Sequence, residues 1–263
     1  METSPQGSLD EASLRAARLI QDSSPGAAHY QKKMAACLFE IAHLDHLEGF
    51  RASGVLPAEA MKTFRKVLRL YDASALHMLG MLRRSGMSVS CRLGCTHCCR
   101  HMPAGVSSLE MIAIYQAMDQ SGLKDRIFRR CLEAEWVWHE ICRRHRKGLL
   151  EGDEGDTPRE VVLKAYQAAA HPCPFLGNGR CVVYPYRPFA CRMHFSFSPK
   201  HWCDPAHFQS PYAVRFNLEP DPEVLDELDR LDERLGLDLS DVLVCGLLEL
   251  MVNVMRFGPV RCI

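Results

Sequence analysis

The sequence predicts a mostly α fold in which helices pack around an irregular cysteine-rich segment. Three observations carry that expectation. Apolar residues recur at three-four spacing on both sides of the chain's middle, prolines break any sustained period between residues 172 and 211, and strand–helix alternation is missing.

Residues 1–26 are polar, with Ser, Pro, Gln and Asp where a signal peptide would carry a basic stretch and an apolar run, so they predict a flexible tail. Leu38, Ile41, Ala42 and Leu47, then Met61, Phe64, Val67, Leu68 and Tyr71, form apolar stripes that predict two helices within residues 27–88. Ser107-Ser108-Leu109-Glu110 has the spacing of a capping box. There a serine oxygen accepts from the third helical amide and the glutamate reaches back, so a helix should run from that point to Met118.

A further helix is expected over residues 124–146, closed by the basic run 143–147 at the negative end of its dipole. The acidic, glycine-bearing stretch 151–156 predicts a surface loop. Thr157-Pro158-Arg159-Glu160 combines a cap with proline in the first turn, and so opens a helix to about Ala170. Asp221-Pro222-Glu223 begins the last helical region, with Val224, Leu228, Leu231 and Leu235 on one stripe. A turn at 236–240 then leads into the apolar run 242–257, expected to be a buried helix. The resulting organisation is a tail (1–26), N-terminal helices (27–88), a cysteine-rich region with inserted helices (89–210) and C-terminal helices (211–263), all in one compact unit.

With 263 residues, 47% of them hydrophobic, the chain can bury a sizeable core. Thirty-two basic residues balance thirty-two acidic ones, so no bulk charge draws it to nucleic acid or an anionic membrane. Its most apolar stretch, 242–255, contains Glu249 and Asn253 and falls short of the roughly 20 residues a membrane span needs. A soluble, cytoplasmic protein is expected. Glycine-rich phosphate loops and the Gly-x-Ser-x-Gly elbow are absent from the sequence, which disfavours nucleotide-dependent enzymes and hydrolases of the common folds.

Eight of the thirteen cysteines fall into two groups: Cys91, Cys95, Cys98 and Cys99, then Cys173, Cys181, Cys191 and Cys203. Thiolates this dense, in a chain that reads as cytoplasmic, are metal ligands sooner than disulfide partners. Gaps of two or three residues let a turn aim successive sulfurs at one ion about 2.3 Å away. Adjacent cysteines in extended chain point apart, so Cys98 and Cys99 are expected to serve different ligand sets, or one of them to pack. Cys37, Cys131, Cys142 and Cys245 sit among apolar helical neighbours and read as core, and Cys262 lies near the end. Cys91-x3-Cys95-x2-Cys98 also reproduces the radical S-adenosylmethionine signature, but the strand–helix repeats of that barrel do not follow it.

The knot, followed by Cys173-Pro174-Phe175-Leu176, Gly179-Arg180-Cys181, Tyr184-x-x-Arg187-Pro188 and Ala190-Cys191-Arg192, resembles the CxxCxxCC family of zinc- or iron-chelating proteins, also called YkgJ-like cysteine-cluster proteins. The resemblance spans Cys91 to about Cys203, and the first gap is three residues where the family name has two. It implies that all eight cysteines are ligands. One group similar in this motif, the flagellin lysine N-methylases, is associated with a 4Fe-4S cluster and methyl transfer from S-adenosylmethionine. The resemblance therefore admits that cofactor and a protein substrate.

Cysteine-only sites suit both zinc and iron–sulfur clusters. Three readings stay open: a metal- or cluster-binding protein, a cluster-dependent group-transfer enzyme, and an interaction module with structural zinc. Arg187 and Arg192 are the candidates for donating to sulfur and offsetting the negative charge of a thiolate centre. Among the histidines near the two groups (His97, His101, His171, His194, His201 and His207), His171 and His194 are the first to examine as substitute ligands.

Overall fold

The computed structural model describes residues 25–92, 94–145 and 157–262, so most of the expected tail and the expected loop at 151–156 lie outside it. The fold is mostly α, as the periodicity predicts. Its longer helices are α1 (Pro25–Ala42), α3 (Ala58–Arg84), α4 (Ser108–Gln120), α5 (Lys124–His145), α6 (Pro158–Ala168) and α8 (Pro222–Leu235). Short helices α2 (Phe50–Ser53), α7 (Phe189–Arg192) and α9 (Leu243–Glu249) complete the set.

Helix α1 starts inside the expected tail because Pro25 in the first turn gives up no helical hydrogen bond. It ends at Ala42, and Leu47 is buried from a separate 3-10 turn that follows the left-handed His46. Helix α3 buries Phe64, Val67, Leu68 and Tyr71 on one face, which packs against α1. Both expected capping boxes form. Ser107 and Thr157 each accept from the amide three residues on, while Glu110 and Glu160 reach back.

The apolar run after residue 242 departs from the expected buried helix. Helix α9 gives way to a π turn (Leu250–Val254) in which the Met255 amide donates to Leu250 O at 2.8 Å. The wider turn keeps Leu250 and Met251 in the core while Val252 and Asn253 face solvent.

Strands occur only as three two-stranded ladders among the described residues. β1 (Val55–Leu56) pairs in parallel with β6 (Arg261–Cys262), β2 (Leu176–Gly177) with β3 (Arg180–Cys181), and β4 (His194–Ser196) with β5 (Arg215–Asn217), the last two antiparallel. The β2–β3 hairpin turns on Asn178 and Gly179, both at positive φ (50° and 71°), as a two-residue hairpin loop requires. One continuous core runs from Ala27 to Met255, and Cys173 and Cys181 pack against it. The cysteine-rich segment is thus a layer on the helices that sends Phe175, Val183, Phe189 and Ala190 into their core.

The start of α4 anchors that layer. Glu110, fully buried, accepts from the Phe189 amide at 2.7 Å and so fixes the start of α7. Beside it, the Asp232 carboxylate accepts from the Ser108 amide at 2.9 Å. Burial first, then the Glu110 charge, pushes the Asp232 carboxyl up to about 6. This value exceeds the roughly 3.9 of an unfolded aspartate, so its stabilising contribution is full below about pH 4 and lost as pH climbs through about 6. Urea midpoints measured across that interval should fall with rising pH, and Asp232→Asn should flatten the part of the slope that Asp232 supplies.

Candidate metal centre

The first cysteine group follows α3 and is tied to the β4 region. Ser90 N donates to Ser196 O at 2.9 Å, and the Cys91 sulfur accepts from the Ser196 amide. Gly94, at φ 86°, turns the chain toward a 3-10 turn (His97–Arg100) that holds Cys98 and Cys99. Cys98 and Cys99 are thus not in the extended chain on which the expectation that they point apart rested. A 3-10 turn rotates successive side chains by about 120°, not the half-turn of extended chain, and leaves Cys99 near enough to raise the Cys98 thiol.

The second group is brought to the first by contacts remote in sequence. Cys173 N donates to Cys99 O at 2.8 Å. Arg130 reaches from α5 to donate to Leu176 O at 2.8 Å and Cys173 O at 3.2 Å, which fixes the loop before the hairpin. Cys181 closes β3, and Cys191 sits on α7 behind the Glu110 anchor.

Seven of the eight cysteines line one cavity of about 660 Å³; Cys203 lies outside its lining. Within the wall, Cys98, Cys173, Cys181 and Cys191 form an inner set in which every sulfur lies within reach of the others' charge. Cys91, Cys95 and Cys203 form an outer set around Cys98 in the same sense. Three sulfurs share a local geometry: those of Cys95, Cys173 and Cys181 each accept from the backbone amide two residues on, at His97, Phe175 and Val183. Such amide–sulfur bonds favour the thiolate, the form that ligates metal.

Against that, burial raises the Cys173 thiol to about 12 and lifts Cys191 well above the ordinary range, and desolvation raises Cys91, exposed as a residue, to about 11. Cys98 is raised first by its hydrogen bond to Cys99 and then by burial. Protein groups alone therefore leave these sulfurs neutral, and a cation is what would turn them into thiolates.

Arg187 lines the cavity, stacks 3.8 Å from the Tyr184 ring centroid, and carries its charge toward Cys98, Cys181 and Cys191. Its Nε is buried with no hydrogen-bond partner, an orphaned donor in the wall of a sulfur-lined cavity. Arg192 has a different position. Its buried guanidinium donates to Arg187 O at 2.6 Å, Pro185 O at 2.8 Å and Asp72 at 2.6 Å, so it braces the loop that presents Arg187 while its charge still favours the Cys181 thiolate.

Of the histidines, His194 reaches the cavity wall stacked 6.0 Å from His101, and its Nδ1 is 2.7 Å from Asn217 Oδ1. His171 instead meets Tyr166 edge-on, with ring centroids 6.3 Å apart.

Among the described residues, no three of the eight cysteine sulfurs lie within 4.8 Å of one another. A single zinc ion with arms of about 2.3 Å holds its sulfurs about 3.8 Å apart. A cubane, whose ligands bond four different irons, spreads them further. Cys37, Cys131 and Cys245 are buried in helices, Cys142 is half-buried and Cys262 is exposed.

Sequence spacing gave no sign of Arg130, of the bond from the Phe189 amide to Glu110, or of the division into inner and outer sets, because each depends on partners from distant elements. The chain matches no protein-family model, no curated protein and no solved structure. No helix among the described residues is long and apolar enough to cross a membrane.

Proposed function

We propose that this chain is a thiolate-held metal protein whose inner set, Cys98, Cys173, Cys181 and Cys191, binds an iron–sulfur cluster. The observation that carries the reading is the convergence of those four sulfurs, from three separate segments, on one cavity beside the orphaned Arg187 Nε. Bound there, a cluster would supply one-electron or Lewis-acid chemistry. The protein's own part is to gather the ligands on one cavity, donate amides to sulfur and set the Arg187 charge against the thiolates. The outer set, Cys91, Cys95 and Cys203 with Cys99 close by, offers ligands for a second ion such as structural zinc. The resemblance to the YkgJ-like family argues in the same direction, and thirteen free thiols suit a reducing, cytoplasmic setting.

Anaerobic purification followed by iron, sulfide and zinc determination tests this reading. Brown protein with about four irons and matching sulfide per chain is the expected result. Colourless protein with about two zinc ions per chain would instead make the centre structural and favour an interaction module.

A second reading rests on the cavity's size. At about 660 Å³ it falls within the roughly 300–1,000 Å³ of small-molecule sites. Ile114, Leu163, Phe175, Leu176, Val183 and Leu243 give it an apolar wall beside the sulfurs. Room for an organic cosubstrate next to a cluster supports group transfer, with S-adenosylmethionine as donor and a protein as acceptor. Equilibrium dialysis of S-adenosylmethionine against the metal-loaded protein should then show saturable binding. Its absence would remove the group-transfer reading and leave the metal centre standing.

A further inference from the structure

We propose a second, mononuclear cation site between α5 and α9, built from Glu135, His139 and Cys245 and suited to zinc. One ligand atom from each of these side chains lies within 4.8 Å of the other two, with Glu135 Oε1 and His139 Nε2 at 3.9 Å. Tetrahedral zinc, with arms of about 2.0–2.3 Å, needs its ligand atoms about 3.2–3.8 Å apart. Closing the site around an ion therefore takes side-chain adjustments on the order of 1 Å, within the rotamer freedom of a glutamate and a histidine on a helix surface.

Geometry favours that closure. Glu135 and His139 are one helical turn apart on α5 and share a face, and α9 packs against α5 with Cys245 buried between them. Cys142 lies three residues beyond His139 on the same helix, with its thiol within charge reach of Cys245. It offers the fourth position, which water fills otherwise.

Donor chemistry selects the ion. One sulfur, one imidazole and one carboxylate match zinc, whereas calcium and magnesium take oxygen ligands. Glu135 and Glu249 are the strongest charges acting on Cys245, both negative, and Glu249 is held in place by the Ser240 amide at 2.6 Å. A dication offsets that accumulation. His139 is two-thirds exposed, which gives an ion its path in from solvent.

None of these residues lines the sulfur-walled cavity, so the site is separate from the proposed cluster. In sequence, Cys142 and Cys245 read as core residues; the cation site gives them a further role without removing that one.

The test uses the full chain, purified anaerobically with its central metal already counted. Titration with Zn²⁺, followed by equilibrium dialysis, should load one additional zinc per chain onto the native protein. A double variant, Glu135→Gln with His139→Gln, should lose that equivalent and keep its central metal unchanged. Both side chains are partly exposed, so the variant is expected to fold. With Co²⁺ as probe, the native protein should show sulfur-to-cobalt charge-transfer absorption beyond that of the central centre, and Cys245→Ala should not. No additional zinc on the native protein, or undiminished uptake by the double variant, overturns the site. If the Cys245 variant fails to fold, the double variant still decides.

Discussion

Cys181→Ser is expected to release the inner-set metal and unfold the segment between residues 172 and 211. That segment has little of its own to hold it: two-residue and three-residue ladders, 3-10 turns and a four-residue helix. Such elements do not persist in isolation. Structural metal sites contribute apparent binding energies of about 10–16 kcal/mol in small zinc domains, comparable with the entire stability of a domain. Removing one inner ligand therefore removes a large part of what orders the layer, leaving the core contacts of Phe175, Val183, Phe189 and Ala190 and the Glu110 and Arg130 bonds to hold the rest.

Cys37→Ser makes the control. Cys37 is buried on α1, far in sequence from either group, so its loss costs packing, about 1 kcal/mol, and leaves metal content intact. Cys203→Ser should reduce only the metal of the outer set. Metal content per chain, with limited proteolysis of the 172–211 segment, separates the three variants. Identical behaviour in all of them would show the ligand assignment to be wrong.

Gly246→Ala should be among the most destabilising substitutions in the helical core, by about 3 kcal/mol or more. A Cβ at this position would collide with the backbone oxygen of Ser240 and stand 2.6 Å from both Sδ and Cε of Met111. The methionine end can move, but the carbonyl cannot without pulling apart the turn that α9 starts from. There the Ser240 amide is held by Glu249 and the Leu243 amide donates to Pro103 O at 3.0 Å. The clash lies on the helix side of the molecule, so the variant should lose stability with its thiol ligands still in place. Chemical denaturation of native and variant protein measures the difference. A change below about 1 kcal/mol would mean that α4 and α9 are not so closely packed.

What the chain discloses by itself is local. The capping boxes at Ser107 and Thr157 are readable because a cap is satisfied within four residues, and α3 and α8 because an amphipathic stripe repeats within each turn. The π turn after α9 escapes such reading, since an apolar run has the same composition whether its turns hold four or five residues.

The same limit governs the site. Four cysteines within nine positions announce ligands, yet that Cys98 and Cys99 sit in a 3-10 turn is not readable from spacing. Arg192 reads as a partner for sulfur, but its guanidinium is taken up by Asp72, 120 residues away, and by two loop carbonyls. Arg130, which carries no motif, positions Cys173 from another helix. Interactions closed across such separations depend on the fold and leave no local trace.

X-ray absorption at the iron and zinc edges of the anaerobically prepared chain bears most directly on the central claim. Four converging thiols and an unpaired guanidinium donor predict an iron edge with sulfur as the nearest shell and iron as the next. An iron-free protein, or iron surrounded by oxygen and nitrogen with no iron neighbour, would contradict it.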